Sequence, residues 1–298
     1  MRKLFILVCS LFLCQAGCQK PAPLTVEPPA DSPAGSLLVT VLSNPDTNIN
    51  VNPIDSVGVL PADQTNYSGL FLVNTLRYDD GHGLTPPLVF ASAYFGDRTK
   101  PLVVNGRIVA YYGIDLMPSA SFPLKVGGIP MIRYPYKIHI GSRDTAFGYM
   151  YRAVFYSLPP RNLYDWDDPR PDPTVPLPIK DSVVMPEDLK VLAPVGGSVL
   201  SRSKQVDLRW TGNGNLTIVI STYNPVTGKT RPVLQLQPVV NTGKAVIETR
   251  LLQLLPQTKN FVFTFIIANR SDRLLGGPYK DRILVQAASV TNSYVQLQ

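Results

Sequence analysis

Side chains able to do chemistry are scarce in this chain. There are two histidines, His82 in the turn DDGHG and His139 within strand-like sequence. Asp79, Asp80 and His82 stand close enough to reach one metal ion. They sit, however, in a glycine-flanked turn without a second histidine, and acidic turns of that kind are ordinarily solvated. Asp165, Asp167, Asp168 and Asp172 surround Trp166. Calcium wants several oxygen ligands, but this spacing matches no known calcium loop. There is no G-x-S-x-G nucleophile elbow, phosphate loop or dinucleotide fingerprint. Cysteines occur at positions 9, 14 and 18 and nowhere later. A chain starting at Cys18 therefore has no disulfide framework and no cysteine metal site. The expectation is a protein that is not an enzyme, with no catalytic residues, no metal and no cofactor.

The first eighteen residues carry the clearest signal. Arg2 and Lys3 give a positive start, and residues 4–13 are an apolar run too short to cross a bilayer as a helix. Ala16 and Gly17 are the small residues a signal peptidase needs. The stretch resembles a bacterial lipoprotein signal, with Gln15 where leucine is usual. That resemblance implies that residues 1–17 are a signal peptide and that Cys18 receives a diacylglyceryl group. The partner is then a membrane, through the lipid anchor, and the location is the cell envelope, at the outer membrane.

The elements that would carry any function read as β throughout. Residues 18–35 form the lipidated cysteine and a tether, with five prolines between positions 19 and 35. Residues 36–158 read as an N-terminal β-sandwich, with strands near 37–42, 69–78, 88–95 and 102–112. Asn105-Gly106 marks a tight hairpin. Period-two alternation runs through 134–140, and again through Phe147, Tyr149, Tyr151, Ala153 and Phe155. Residues 159–188 hold eight prolines and read as a linker in which central strand is disfavoured; 179–185 is a candidate edge strand. Residues 189–298 carry seven short strand signals, the pattern of an immunoglobulin-like sandwich. The fold class is all-β, two sandwiches in tandem.

Within 189–298, VDLRWTG, LTIVISTY and LLPQTKNFVFTFIIANR resemble the tryptophan strand and the Leu-x-Pro-x-Thr corner of fibronectin type III and bacterial immunoglobulin-like domains. Leu254, Pro256 and Thr258 have the corner's spacing. The following aromatic is Phe261, one residue late and without the hydroxyl of the family's tyrosine. The resemblance implies a fold and no activity. Trp210 is expected inside, in phase with Val206 and Leu208.

Charge and aromatic content narrow the role further. Removing Arg2 and Lys3 lowers the formal charge from +7 to +5, with no dense basic run of the kind that binds nucleic acid. Ten of the fourteen tyrosines lie in 36–158; they suit cross-strand pairing, and they also suit sugar-stacking faces. Tyr111 and Tyr112 are adjacent, so in a strand they face opposite sides, which makes them the candidate binding surface. Ser56, Thr145 and Ser182 each follow an aspartate and precede an apolar residue. These tripeptides resemble the O-glycosylation sites of one Gram-negative phylum. The expectation is a non-catalytic, lipid-anchored binding or scaffold subunit whose partner is an envelope protein or a glycan.

Overall fold

The computed structural model describes residues 25–26, 37–42, 49–50, 67, 69–104, 107–113, 124–140, 143–155, 163–167, 180–228, 230–274 and 282–298. The protein is all-β. The first strands are β1 (Thr25–Val26), β2 (Leu37–Val41), β3 (Ile49–Asn50) and β4 (Gly69–Asp79). The long β5 (Leu88–Val104) pairs with β6 (Arg107–Gly113) as far as Val104↔Arg107; Asn105 and Gly106 lie outside the described residues. Next come β7 (Lys125–Val126), β8 (Ile129–Pro130), β9 (Ile132–Ile140) and β10 (Arg143–Phe155). Two strands, β11 (Leu163–Asp167) and β12 (Lys180–Val184), fall inside the proline-rich interval. Residues 161–168 contain no proline, so LYDWD is free to pair on both edges. β11 sits between β12 and β7 in a four-stranded sheet whose edges are β12 and β8.

The remaining elements are β13 (Lys190–Ala193), β14 (Val199–Leu200), β15 (Val206–Thr211), β16 (Leu216–Tyr223), β17 (Thr230–Pro238) and β18 (Lys244–Ile247), the short helix α1 (Thr249–Gln253), β19 (Asn260–Leu274) and β20 (Arg282–Leu297). A three-stranded sheet, β13-β15-β18, faces strands β17-β16-β19-β20 of the main sheet. β14 pairs in parallel with the end of β20. Between the layers lie Trp210, Leu208, Ile218, Leu236, Phe263 and Phe265, all buried.

The main sheet runs β1-β2-β17-β16-β19-β20-β4-β5-β10-β9-β3. Strand pairing thus crosses the boundaries read from sequence. β2 pairs with β17, and β20 pairs in parallel with the whole of β4, from Ile283↔Gly69 to Ser293↔Asp79. Ser289, Thr291 and Ser293 interrupt the apolar pattern of β20, which shortens the strand signal in its sequence. Their hydroxyls have partners: Ser289 Oγ accepts from Leu189 N–H (3.0 Å), Thr291 donates to Leu189 O (3.0 Å) and Ser293 to Pro194 O (2.7 Å). The chain crossing into the C-terminal layers is stitched to β20 along this polar seam. Arg77 on β4 adds a bidentate ion pair to Asp188 (3.0 and 3.3 Å).

β10 departs from the expected single apolar face. The register slips between Ala146 and Tyr149, at Gly148 with φ +102°. One extra residue reverses the phase of a strand. Phe147 therefore packs on one side with Tyr136, Met150 and Leu72, whereas Tyr151 and Ala153 pack on the other with Phe71, Phe95 and Val126. Gly148 is required there: a Cβ would sit 2.4 Å from Gly113 O, where β6 crosses over β10. That crossing closes the aromatic cluster in which Tyr112 and Phe147 rings lie 4.5 Å apart.

Candidate binding surface

β9 and β10, here called the ribbon, are the last long strands on the far side of the main sheet; β10 also pairs with β5 from Met150 to Phe155, and among the described residues β3 pairs with β9 at Ile140 and His139. Residues diagonal across an antiparallel pair are within reach of long side chains. Two such diagonals join arginine to tyrosine, one on each face of the ribbon. Arg152 is opposite Ile132 and lies over the Tyr134 ring at 5.9 Å. Arg133 is opposite Tyr151 and lies over the Tyr149 ring at 4.7 Å. Each guanidinium meets the electron-rich face of a ring while both strands hold the geometry.

The Tyr134 face is the more open one. Tyr134 is 42% exposed, and it is the single tyrosine classed as exposed among the described residues. Ile132 beside it is 61% exposed and Val154 49%. Tyr136, two residues on and on the same face of β9, is buried against Phe147 (5.8 Å) and Tyr94 (5.4 Å). The β5–β6 hairpin covers that end of the face and stops short of Tyr134. Period-two alternation cannot reveal this, because it assigns both tyrosines to one side and says nothing of where the cover ends.

Tyr111 and Tyr112 are both half-buried and are not brought together as a surface. Tyr112 belongs to the aromatic cluster beneath β6. Tyr111 carries the Arg98 guanidinium at 5.7 Å, and its carbonyl accepts a hydrogen bond from the buried Tyr94 hydroxyl. Burial, helped by neighbouring Tyr136, holds that hydroxyl protonated far above the ordinary phenol range. Arg98 stands on a bulge where Asp97 accepts from Thr99 N–H (3.0 Å) and Thr99 Oγ1 (2.6 Å) and meets Lys100 Nζ at 3.2 Å. These contacts, led by the Thr99 hydroxyl, hold the Asp97 carboxyl below its usual range.

The other candidates are dispersed. Cys18 and Ser56 lie outside the described residues. Thr145 is opposite Ile138 in β10, and Ser182 opposite Asp165 in β12; their side chains also lie outside the description, as do Asp168 and Asp172. Asp79 serves the fold, accepting from Gly196 N–H (2.7 Å) and Gly81 N–H (3.2 Å). Asp80 accepts from His82 N–H (3.0 Å), and the His82 ring stands in solvent. Among the described residues no group of three or more His, Cys, Asp or Glu could hold a metal ion. A second tyrosine set, Tyr78, Tyr223 and Tyr294, is packed ring on ring at 4.9 and 6.4 Å. Burial first, then Tyr78, Tyr223 and Asp80, push the Tyr294 hydroxyl up to about 12. No protein-family model, curated protein or solved structure matches the chain.

Proposed function

We propose that this is a lipid-anchored, non-catalytic binding protein of the cell envelope. Cys18 is its anchor, the β9–β10 ribbon its recognition surface, and residues 189–298 an immunoglobulin-type module that supports the ribbon. The observation that carries the reading is the ribbon itself. Two ordered arginine–tyrosine diagonals and two exposed aliphatic residues stand on rigid strands at the edge of a deep sheet. Rigid aromatics and arginine dominate the energetics of recognition surfaces. The strand pairing of 189–298, β13-β15-β18 against β17-β16-β19-β20 with β14 on the β20 edge, supports the module assignment.

The anchor is tested by fatty-acid labelling. One acyl chain holds a protein only marginally and two hold it stably, at about 0.8 kcal/mol per buried CH₂. Cys18→Ser should abolish labelling and release the protein from membranes. Cleavage elsewhere in a wild-type protein that carries no lipid would refute the anchor. For the ribbon, Tyr134→Ala with Arg152→Gln in the full chain should lose whatever the wild type retains from an envelope extract.

A further inference from the structure

Charge is distributed unevenly along the chain. Residues 88–155, which supply β5 to β10, hold eight Lys and Arg against three Asp and no Glu, an excess of five. The rest of the chain from Cys18 onward holds eighteen basic and eighteen acidic residues, and so is neutral. The whole positive excess thus belongs to the segment that builds the ribbon. Arg133, Lys137 and Arg152 are all exposed there. Among the described residues no carboxylate pairs with Arg152, whose planar donors lie beside the open Tyr134 ring.

Taking the binding role above as its basis, we propose that the Tyr134–Arg152 face binds an acidic polysaccharide. An aromatic ring stacks on the C–H face of a sugar, because the ring offers flat apolar area at little entropic cost. A guanidinium beside it can take a carboxylate or sulfate by paired hydrogen bonds. Arg133 and Lys137, exposed on the opposite face of β9, add to the positive field at this side of the sheet that attracts a repeating anionic polymer.

Position in the sheet favours a polymer over the headgroups of the anchoring membrane. β1 pairs with β2 at Thr25↔Thr40, so only residues 19–24 remain between Cys18 and the sheet. Seven residue steps reach at most about 25 Å. β9 is nine strands away from β1 in the sheet order, roughly 43 Å at about 4.8 Å per strand. A lipid on Cys18 would hold the β1 edge close to the bilayer and leave the ribbon on the far edge.

The test uses the full chain carrying Cys18→Ser, with polygalacturonate as probe in affinity electrophoresis or calorimetry. Methyl-esterified polygalacturonate, poly-glutamate and vesicles containing anionic phospholipid are the comparisons. The expected result is salt-sensitive binding to polygalacturonate that esterification removes. Tyr134→Ala with Arg152→Gln should weaken it by at least about tenfold, from one stacked ring and one charged contact, with the melting midpoint unchanged. Equal binding of the esterified polymer, an unaffected variant, or tighter binding to poly-glutamate or vesicles would overturn the assignment. If polygalacturonate fails while envelope capture still depends on Tyr134 and Arg152, the binding role stands and the polysaccharide falls. If capture is independent of both residues, the ribbon reading falls as well.

Discussion

The two ends of the main sheet bury their strands differently. At the β16–β19 end, apolar residues alternate cleanly. Phe261, Phe263, Phe265 and Ile267 meet Trp210 and Leu208 of the facing sheet. At the β9–β10 end, alternation is broken by the bulge at Gly148, and cover is supplied by a bent hairpin over part of one face. The first end spends its side chains on closure. The second leaves Ile132, Tyr134 and Val154 in water on a rigid frame, and it carries the net charge. The β20–β4 ladder joins the closely packed strands to those that are less completely covered.

The strongest way to break this contrast is to empty the closed end. Trp210 is 2% exposed, its Nε1–H donates to Asn241 Oδ1 (2.9 Å), and its ring lies 6.3 Å from Phe265. Trp210→Ala should cost about 3–5 kcal/mol, a large part of an ordinary domain's stability. Urea unfolding followed by circular dichroism measures it. An unchanged midpoint would mean the layers do not share the core described. Because β20 belongs to both ends, the same variant should also lower protection of β4 amides.

Arg202 comes next, at the corner between α1 and β19. Its guanidinium donates to the carbonyls of Leu252, Leu255, Pro256 and Thr258 (3.2, 3.1, 2.6 and 3.0 Å) and lies 5.8 Å from the Phe261 ring. Arg202→Met keeps much of the volume and removes those donors. The expected loss is about 2–3 kcal/mol, nearer one charged hydrogen bond than four, because one half-solvated cation serves them all. A loss below ~0.5 kcal/mol would show that the corner holds without the cation.

The legibility of the chain follows the same contrast. Trp210, Leu208 and Val206 were readable as an inward face because β15 is straight and one side of it is wet. Arg202 was not, because it lies fifty or more positions from the carbonyls it caps and nothing in its local sequence marks it. The alternation at Tyr134 and Tyr136 identified a strand correctly and still hid the exposed ring, since exposure there depends on where β6 ends. Phe147 looked in phase with Tyr149 until Gly148 shifted the register. β11 was obscured by the prolines around it. Among the candidate sites, Tyr111 and Tyr112 lie on β6 and not on β9 or β10, with the Tyr112 ring in the aromatic cluster and the Tyr111 carbonyl bonded to Tyr94.

The polar seam tests whether the two ends unfold together. Ser289→Ala with Thr291→Val removes the hydroxyl partners of both backbone groups of Leu189 at a site that is fully buried. Unpartnered buried groups cost about 1–3 kcal/mol, so the midpoint should fall by that order. The sharper readout is the shape of the transition. If the seam couples the ends, near-ultraviolet and far-ultraviolet signals that coincide in the wild type should separate in the double variant. Coincident curves in both proteins would assign the coupling to the β4–β20 ladder alone.

The smallest effect is expected at Asp97, on the hairpin that covers the open end. Its carboxylate is held below the usual range chiefly by the Thr99 hydroxyl, so the ionised form is favoured by the fold. A depressed carboxyl contributes stability that is present above the unfolded-state value, about 3.9, and lost as pH falls through the folded value. The bulge at 97–101 should therefore keep its geometry at neutral pH and loosen only below about pH 4. Asp97→Asn removes the charge at every pH but keeps an oxygen that can accept from Thr99, and the ion pair it loses is to the exposed Lys100, so it should cost under about 1 kcal/mol. Amide exchange at Thr99 separates the two effects: faster at acid pH in the wild type, and equally fast at neutral and acid pH in Asp97→Asn after correction for intrinsic rates. Exchange at Thr99 that is indifferent to both changes would mean that β6 alone, through its crossing at Gly113 and Gly148, holds the hairpin over the aromatic cluster.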